Sequence, residues 1–560
     1  MKLSKPQTVL AAALWSMACA KPACVYNPVT LEDYGTFFGI VVDQTLSGQP
    51  IEPVDAWLGM DFSNQPVGEN RFKPIDYPEP FDGIRAASAY GKACPQAITS
   101  LLPIDAQAED CLKFNVYRTQ GVPLDRRLPV FLWIHGGAFN RGNQKTFDGA
   151  SFAANSPEPI VVVSFQYRVG ALGFLPSALF EEEGLLNLGI RDQRHFLEFA
   201  QKHLVSFGGD PSQVTVGGLS AGAHSVGIHH FGNYGDSEGK ELFARVVYQS
   251  GSVTSRAFPN ASYPLYQTQF AEFVAGLGCE DAVAESNEAA LACLREPHVD
   301  EIRKASLAVF NKYDPAITWP FQPVHEGPLF EKAGSQSGYD ETFFKVPVIT
   351  TTTSDEGKNY IPGTLETEED FISFMSNTSP ALTKEDLGLI SSLYPDPATV
   401  PNSPYANAPN STQYNRLAAA WSDYAYICPG QETAYRTHKA GVPAWKLRWN
   451  TNNRNPAWKG IPHATDSTYL WAEPTVEFPE MGRVHHAYIA SFALTGDPNT
   501  LRLGGSPEWP AYEPSGYGLE SEAPLQLVVN SDGAVVEKDD DRREACLFWR
   551  DPERAGRLNK

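Results

Sequence analysis

A chain of 560 residues, 42% hydrophobic and 20% charged, carries enough apolar material for a large packed core and is not the composition of a disordered protein. Its formal net charge of −22 argues against nucleic acid and anionic membrane surfaces as partners, since both repel an acidic protein. The acidity itself reads as solubility and leaves a small-molecule partner open.

The N-terminus begins with Lys2 and Lys5, runs through the apolar "TVLAAALWSMA" and reaches Ala18-Cys19-Ala20. A basic start, a short apolar segment and a small-residue site predict a secretory signal peptide over residues 1–20, leaving a mature domain over 21–560. The apolar segment is too short to span a bilayer, so no stable membrane insertion is expected. The charged C-terminus, "RDPERAGRLNK", is no lipid-anchor signal and carries no retention tetrapeptide. In a secreted chain Asn260, Asn377 and Asn410, each in Asn-x-Ser/Thr, become glycosylation candidates. Eight cysteines suit an oxidising compartment. Cys19 leaves with the leader, six of the other seven can pair, and the odd one, Cys24, has no assigned role.

Further along, six short apolar runs read as strands: "LPVFLWI" (128–134), "PIVVVSF" (159–165), "QVTVGGL" (213–219), "RVVYQS" (245–250), "VPVITTT" (346–352) and "VPAWKLRW" (442–449). Their β-branched content and lack of alternation predict strands covered on both faces. Helical spacing lies between them. In residues 189–207, Leu197, Ala200 and Leu204 form an apolar stripe that "FGGDP" terminates. Strands alternating with helices predict an α/β fold with a large, mostly parallel central sheet flanked by helices, in a single large domain. No Gly/Ser-rich or charged linker divides it, and the proline-rich stretch over 395–410 reads as a surface loop.

One serine stands out in this frame. Ser220 lies between Gly218 and Gly222, after the run 213–219 and before "AGAHSVGIHHF", which continues as a helix. Strand, tight turn and helix are the setting of a nucleophile elbow, where glycines remove clashes and the serine oxygen is exposed at the carboxyl edge of the sheet. Upstream, His135-Gly136-Gly137-Ala138 follows the run 128–134. Glycine-rich backbone leaves N–H groups unobstructed, so those of Gly137 and Ala138, with that of Ala221, form a candidate oxyanion hole. For this fold the order is serine, acid, histidine. Most of the 12 histidines lie before the serine or within helical stretches. His463 follows the run 442–449 on a loop and is the best base. The acid should follow the run 346–352, where Asp355 and Glu356 are neighbours; residue chemistry alone does not choose between them.

With those motifs in place, and with "AEDCLKFNVY", "SFQYRVGALGFL", "FGGDPSQVTVGGLSAGA", "YQSGS", "SDEG", "DYAYICP" and "SFALTGDPN" in order along residues 36–550, the chain resembles the type-B carboxylesterase/lipase family, which includes fungal secreted esterases and lipases and the cholinesterases. The resemblance implies the α/β-hydrolase fold, and it selects Glu356 as the acid. It also implies the disulfides Cys94–Cys111, Cys279–Cys293 and Cys428–Cys546, and structural ion pairs Arg71–Glu109 and Arg168–Asp192. The implied activity is hydrolysis of carboxyl esters through an acyl-serine intermediate, with Ser220, His463 and Glu356 as triad and no metal or organic cofactor.

Two departures bear on substrate. Leu219 stands where most members carry glutamate before the serine. The loop between Cys94 and Cys111, "PQAITSLLPIDAQAED", has no aromatic residue, where cholinesterases use a tryptophan to hold choline by cation–π contact. Both argue against choline esters. The same loop is longer in the fungal lipases of the family, where it is a mobile lid. Its shortness here favours an esterase on dissolved substrates over a lipase on longer-chain esters. An acyltransferase or lactone-processing enzyme would use the same triad with another acceptor, and a non-catalytic binding protein would be expected to have lost triad members, all of which are present.

Overall fold

In the computed structural model, residues 28–232, 242–325 and 330–560 are described. The expected signal peptide and Cys24 lie outside them. Eleven strands form the main sheet: β1 (Ile40–Gln44), β2 (Pro50–Asp61), β3 (Lys113–Thr119), β4 (Leu128–Ile134), β5 (Val161–Phe165), β6 (Gly209–Leu219), β7 (Arg245–Gln249), β8 (Val348–Thr353), β9 (Ala444–Asn450), β10 (Leu525–Asn530) and β11 (Gly533–Lys538). Their order is β11-β10-β9-β8-β7-β6-β4-β5-β3-β2-β1. All six runs read as strands are strands, and they pair in parallel from β5 across to β9. All five residues of β5 and all six of β8 are buried, as unbroken β-branched runs require when helices cover both faces.

The antiparallel margins were not visible in the sequence. β1, β2 and β3 close one side and β11 the other. β11 is nowhere buried and β1 is at most half-buried, so neither carries the continuous apolar signal of a central strand. The α/β expectation holds: the sheet is large, mostly parallel and flanked by helices in one domain. No helix of the described residues is long and apolar enough to cross a membrane.

The stripe read over 189–207 forms α1 (Leu188–His203), followed by a 3₁₀ turn to Phe207. Asp192 on α1 holds the buried Arg168 through Nη2–Oδ1 at 2.6 Å and Nε–Oδ2 at 2.8 Å. Arg71 meets Glu109 through both Nε and Nη2 and donates to the carbonyls of Arg295 and Pro297 at 2.7 and 2.8 Å. It thus ties the base of the 94–111 loop to the chain just after Cys293. The three disulfides join the cysteines the resemblance paired.

Parallel register carries the architecture into function. Ile134 on β4 pairs with Gly218 on β6, and Leu219 pairs with Gln249 on β7. The strand ends are therefore level, and the loops leaving β4, β6, β7, β8 and β9 emerge side by side at the carboxyl edge, where open α/β sheets bind their ligands.

Candidate active site

Ser220 sits between β6 and α2 (Ala221–Phe231) with φ 57° and ψ −124°. A non-glycine residue in this region costs about 1–3 kcal/mol and persists only where its surroundings hold it. Here Ser220 N–H donates to Gln249 O and Ser220 O accepts from His224 N–H, both at 2.9 Å. The flanking glycines are sterically required. A Cβ on Gly218 would lie 2.5 Å from the backbone of Gly222, and one on Gly222 would lie 2.1 Å from Ile134 O. All eleven residues of α2 are buried.

The loop after β4 packs directly on this turn, since a Cβ on Gly136 would lie 2.5 Å from Leu219 O. Gly137, Ala138 and Phe139 all have positive φ. The loop is pinned from behind, because Ala138 O accepts from Asn140 Nδ2 at 2.8 Å and from Gln322 Nε2 at 2.9 Å. Among the described residues, the N–H groups of Gly137, Ala138 and Ala221 have no protein acceptor. Three unsatisfied donors beside one serine are what an oxyanion needs.

His463 Nδ1 is 2.5 Å from Glu356 Oε2. The other oxygen of Glu356 accepts from Ser250 Oγ and from Thr353 N–H, both at 2.7 Å, and the carboxylate is fully buried. Asp355 points elsewhere: its Oδ2 accepts from Ile461 N–H at 3.0 Å. The geometry therefore pairs the histidine with Glu356, the neighbour that residue chemistry left open. His463 Nε2 is buried without a hydrogen-bond partner and belongs to the same cavity as Ser220. Such contacts commonly tighten only when substrate binds. A hydroxyl, an imidazole with Nε2 free and a carboxylate on Nδ1 are the parts of nucleophilic acyl transfer.

The cavity measures about 430 Å³. Leu219 lines it, as do Leu101 and Leu102 of the 94–111 loop. The loop contributes no aromatic ring, but Trp133, Phe310, Trp319 and Tyr360 wall the cavity from other elements. Two tyrosines flank the histidine: the Tyr426 ring is 4.4 Å from that of His463 and Tyr360 is 5.4 Å away. Their hydroxyls are 3.0 Å apart. Sequence reasoning missed both, because Tyr360 and Tyr426 lie on segments that meet only in the fold.

It also missed Asp466, three residues after His463. Its carboxyl is fully buried, and neither oxygen has a hydrogen-bond partner. Burial, reinforced by the charge of Glu356 and only partly offset by the nearby Gln249 amide, pushes its pKa from 3.8 up to about 7. The folded chain thus binds this proton more tightly than the unfolded chain does. The stabilisation is complete below about pH 4 and drains away as pH rises toward 7. Against Asp466→Asn, the wild-type chain is expected to lose up to about 1.4 kcal/mol of stability per pH unit across that window. Melting temperatures of both proteins from pH 4 to 8 check this; a constant gap would refute it.

Residues 27–544 match the model described as the carboxylesterase family. Secreted lipase 4 of Gibberella zeae is 58% identical over 536 residues, covering 96% of this chain and 95% of its own. Secreted lipase 1 of Botryotinia fuckeliana is 30% identical over 515 residues, with 84% and 86% covered. Of solved structures, EstA of Aspergillus niger superposes with a TM-score of 0.79 at 26% identity, covering 95% of this chain and 99% of that one.

Proposed function

The chain belongs to the carboxylesterase family and is a carboxylic ester hydrolase, and on that premise we propose that it cleaves dissolved carboxyl esters through an acyl-enzyme on Ser220. The observation that carries this reading is the held imidazole: Glu356 fixes His463 Nδ1, while Nε2 stands free in the cavity that contains Ser220. Ser220 attacks the ester carbonyl and His463 accepts its proton. The N–H groups of Gly137, Ala138 and Ala221 stabilise the tetrahedral oxygen, each donor contributing about 10²–10³ in rate. His463 returns the proton to the leaving alcohol, and water repeats the sequence to release the acid. The Glu356 carboxylate keeps the Nδ1–H tautomer and stabilises the imidazolium.

Secretion fits the leader read over residues 1–20 and the two relatives that are secreted lipases. Asn260, Asn377 and Asn410 are all exposed, as glycan acceptors must be. The test of the chemistry is labelling by a fluorophosphonate, with the modified peptide located by mass spectrometry. Labelling at Ser220, together with steady hydrolysis of p-nitrophenyl butyrate, is expected; labelling at another serine would overturn the assignment. Added alcohol in the same assay shows whether water is the sole acceptor.

A lipase reading has its own support. Relatives are named lipases, and the 94–111 loop exposes Leu101 (94%) at the cavity and Ile98 and Ile104 elsewhere along it. Its 16 residues are nevertheless too few to cover and uncover a large apolar surface, and a cavity open in solution needs no interface. Tributyrin turnover is therefore expected to saturate below the solubility limit and to pass that limit without a rise. A severalfold jump at the limit would replace this reading with the lipase one.

A further inference from the structure

The loop leaving β7 carries Arg256, a residue only 9% exposed. Other buried arginines are neutralised or richly hydrogen-bonded. Arg71, Arg168, Arg303 and Arg416 each meet a carboxylate, while Arg118 and Arg550 are taken up by carbonyl oxygens. Arg256 has neither. Among the described residues no carboxylate lies within 4 Å of it. Its Nη2 donates to the amide oxygen of Gln322 at 2.6 Å, and its Nε is buried without a partner. Burying a cation against one neutral amide is costly unless another group completes the site.

The surroundings say which group. Arg256 lines a cavity of about 60 Å³ together with Gln322, Tyr266, Trp319 and Trp421. Since a single water needs only about 10–15 Å³ of such space, a carboxylate fits. The guanidinium carbon lies 4.7 Å over the Trp319 ring, and Trp319 also lines the cavity of Ser220. The indole N–H donates to Asp314 Oδ1 at 2.6 Å, which fixes the ring as the shared wall. Gln322, the one amide on Arg256, also donates to Ala138 O in the loop of the oxyanion donors. Arg256, with no carboxylate in contact, therefore stands one residue behind the Trp319 wall of the Ser220 cavity, a cavity that Asp314 also lines.

We propose that Arg256 is a specificity-determining residue that selects esters carrying a second, free carboxylate, whose charge it neutralises across Trp319. Through the ring the attraction is one of charge, and arginine keeps its charge at any working pH. This rests on the esterase reading of Ser220. The carboxylate belongs to either the acyl or the alcohol half, and the test separates them.

The wild-type protein is assayed by acid release on monoethyl succinate, glutarate and adipate, each against its ω-amide, and on 3-acetoxypropanoate against 3-acetoxypropanamide. The carboxylate member of at least one pair is expected to show a kcat/KM at least tenfold higher, mainly through KM. The chain length that does so reports the span, and the half that carries the charge names the side. Arg256→Gln should bring that ratio to about one, with Arg256→Lys between. No preference in any wild-type pair overturns the proposal without recourse to a variant, as does an Arg256→Gln protein that weakens both members of a pair equally. Competitive inhibition of wild type by adipate but not adipamide is expected as well, and equal inhibition counts against it. Failure of the esterase reading looks different: no hydrolysis of any ester and no fluorophosphonate labelling, which removes this inference with it.

Discussion

Ser220→Ala is expected to lower ester turnover about 10⁶-fold, the loss seen when the nucleophile is taken from a triad that acts as a unit. The substitution is clean because it removes only Oγ. Alanine keeps the Cβ, so the backbone at φ 57° is no more strained than before. The contacts that hold the turn, Ser220 N–H to Gln249 O and His224 N–H to Ser220 O, are main-chain and survive. Melting temperature should therefore shift little while activity disappears. Residual hydrolysis would come from the unsatisfied N–H groups of Gly137, Ala138 and Ala221 and from substrate binding alone. Steady-state rates on p-nitrophenyl butyrate, with thermal unfolding as the control for folding, make the measurement. A variant that keeps more than about a tenth of the wild-type rate would remove Ser220 from the mechanism.

The parts legible in the sequence share a physical reason. Strands such as β5 and β8 are buried on both faces, so they print as unbroken β-branched runs. The turn around Ser220 has no room for Cβ atoms at 218 and 222, so it prints as glycine. Where a residue's role depends on what lies across space, the sequence is mute. Arg256 looks like any arginine until its missing carboxylate is noticed. Asp466 looks like a loop acid until its burial is seen. Tyr360 and Tyr426 meet over His463 from positions 66 residues apart. The margins β1 and β11, at most half-buried, lack the pattern that burial imposes. Asp355 and Glu356 form the instructive pair: they are adjacent, chemically alike, and parted only by the direction in which a short turn after β8 aims each side chain.

That pair gives the second large effect. Glu356→Gln is expected to cost about 10⁴-fold in kcat, the scale on which an amide in place of a triad carboxylate acts, and Asp355→Asn less than about tenfold. The hydrogen bonds explain the asymmetry. Glu356 Oε1 accepts from two donors, Ser250 Oγ–H and Thr353 N–H. The Thr353 N–H is main-chain and cannot reverse its role. A glutamine there must turn its carbonyl oxygen toward Thr353, which leaves its NH₂ facing His463 Nδ1. The imidazole then has to accept at Nδ1 and carry its proton on Nε2, so it has no lone pair for the proton of Ser220. The charge that would stabilise the imidazolium is lost in the same step. Asp355 is different: Oδ2 accepts from Ile461 N–H, and Asp355 N–H donates to Ile461 O. An asparagine retains a carbonyl oxygen for the first bond and leaves the second untouched, so the loop that presents His463 keeps its place. Parallel kinetics of the two variants decide the matter. If Asp355→Asn were the more damaging, the imidazole would be governed by the loop contact with Ile461 rather than by the carboxylate on Nδ1, and the triad would have to be redrawn.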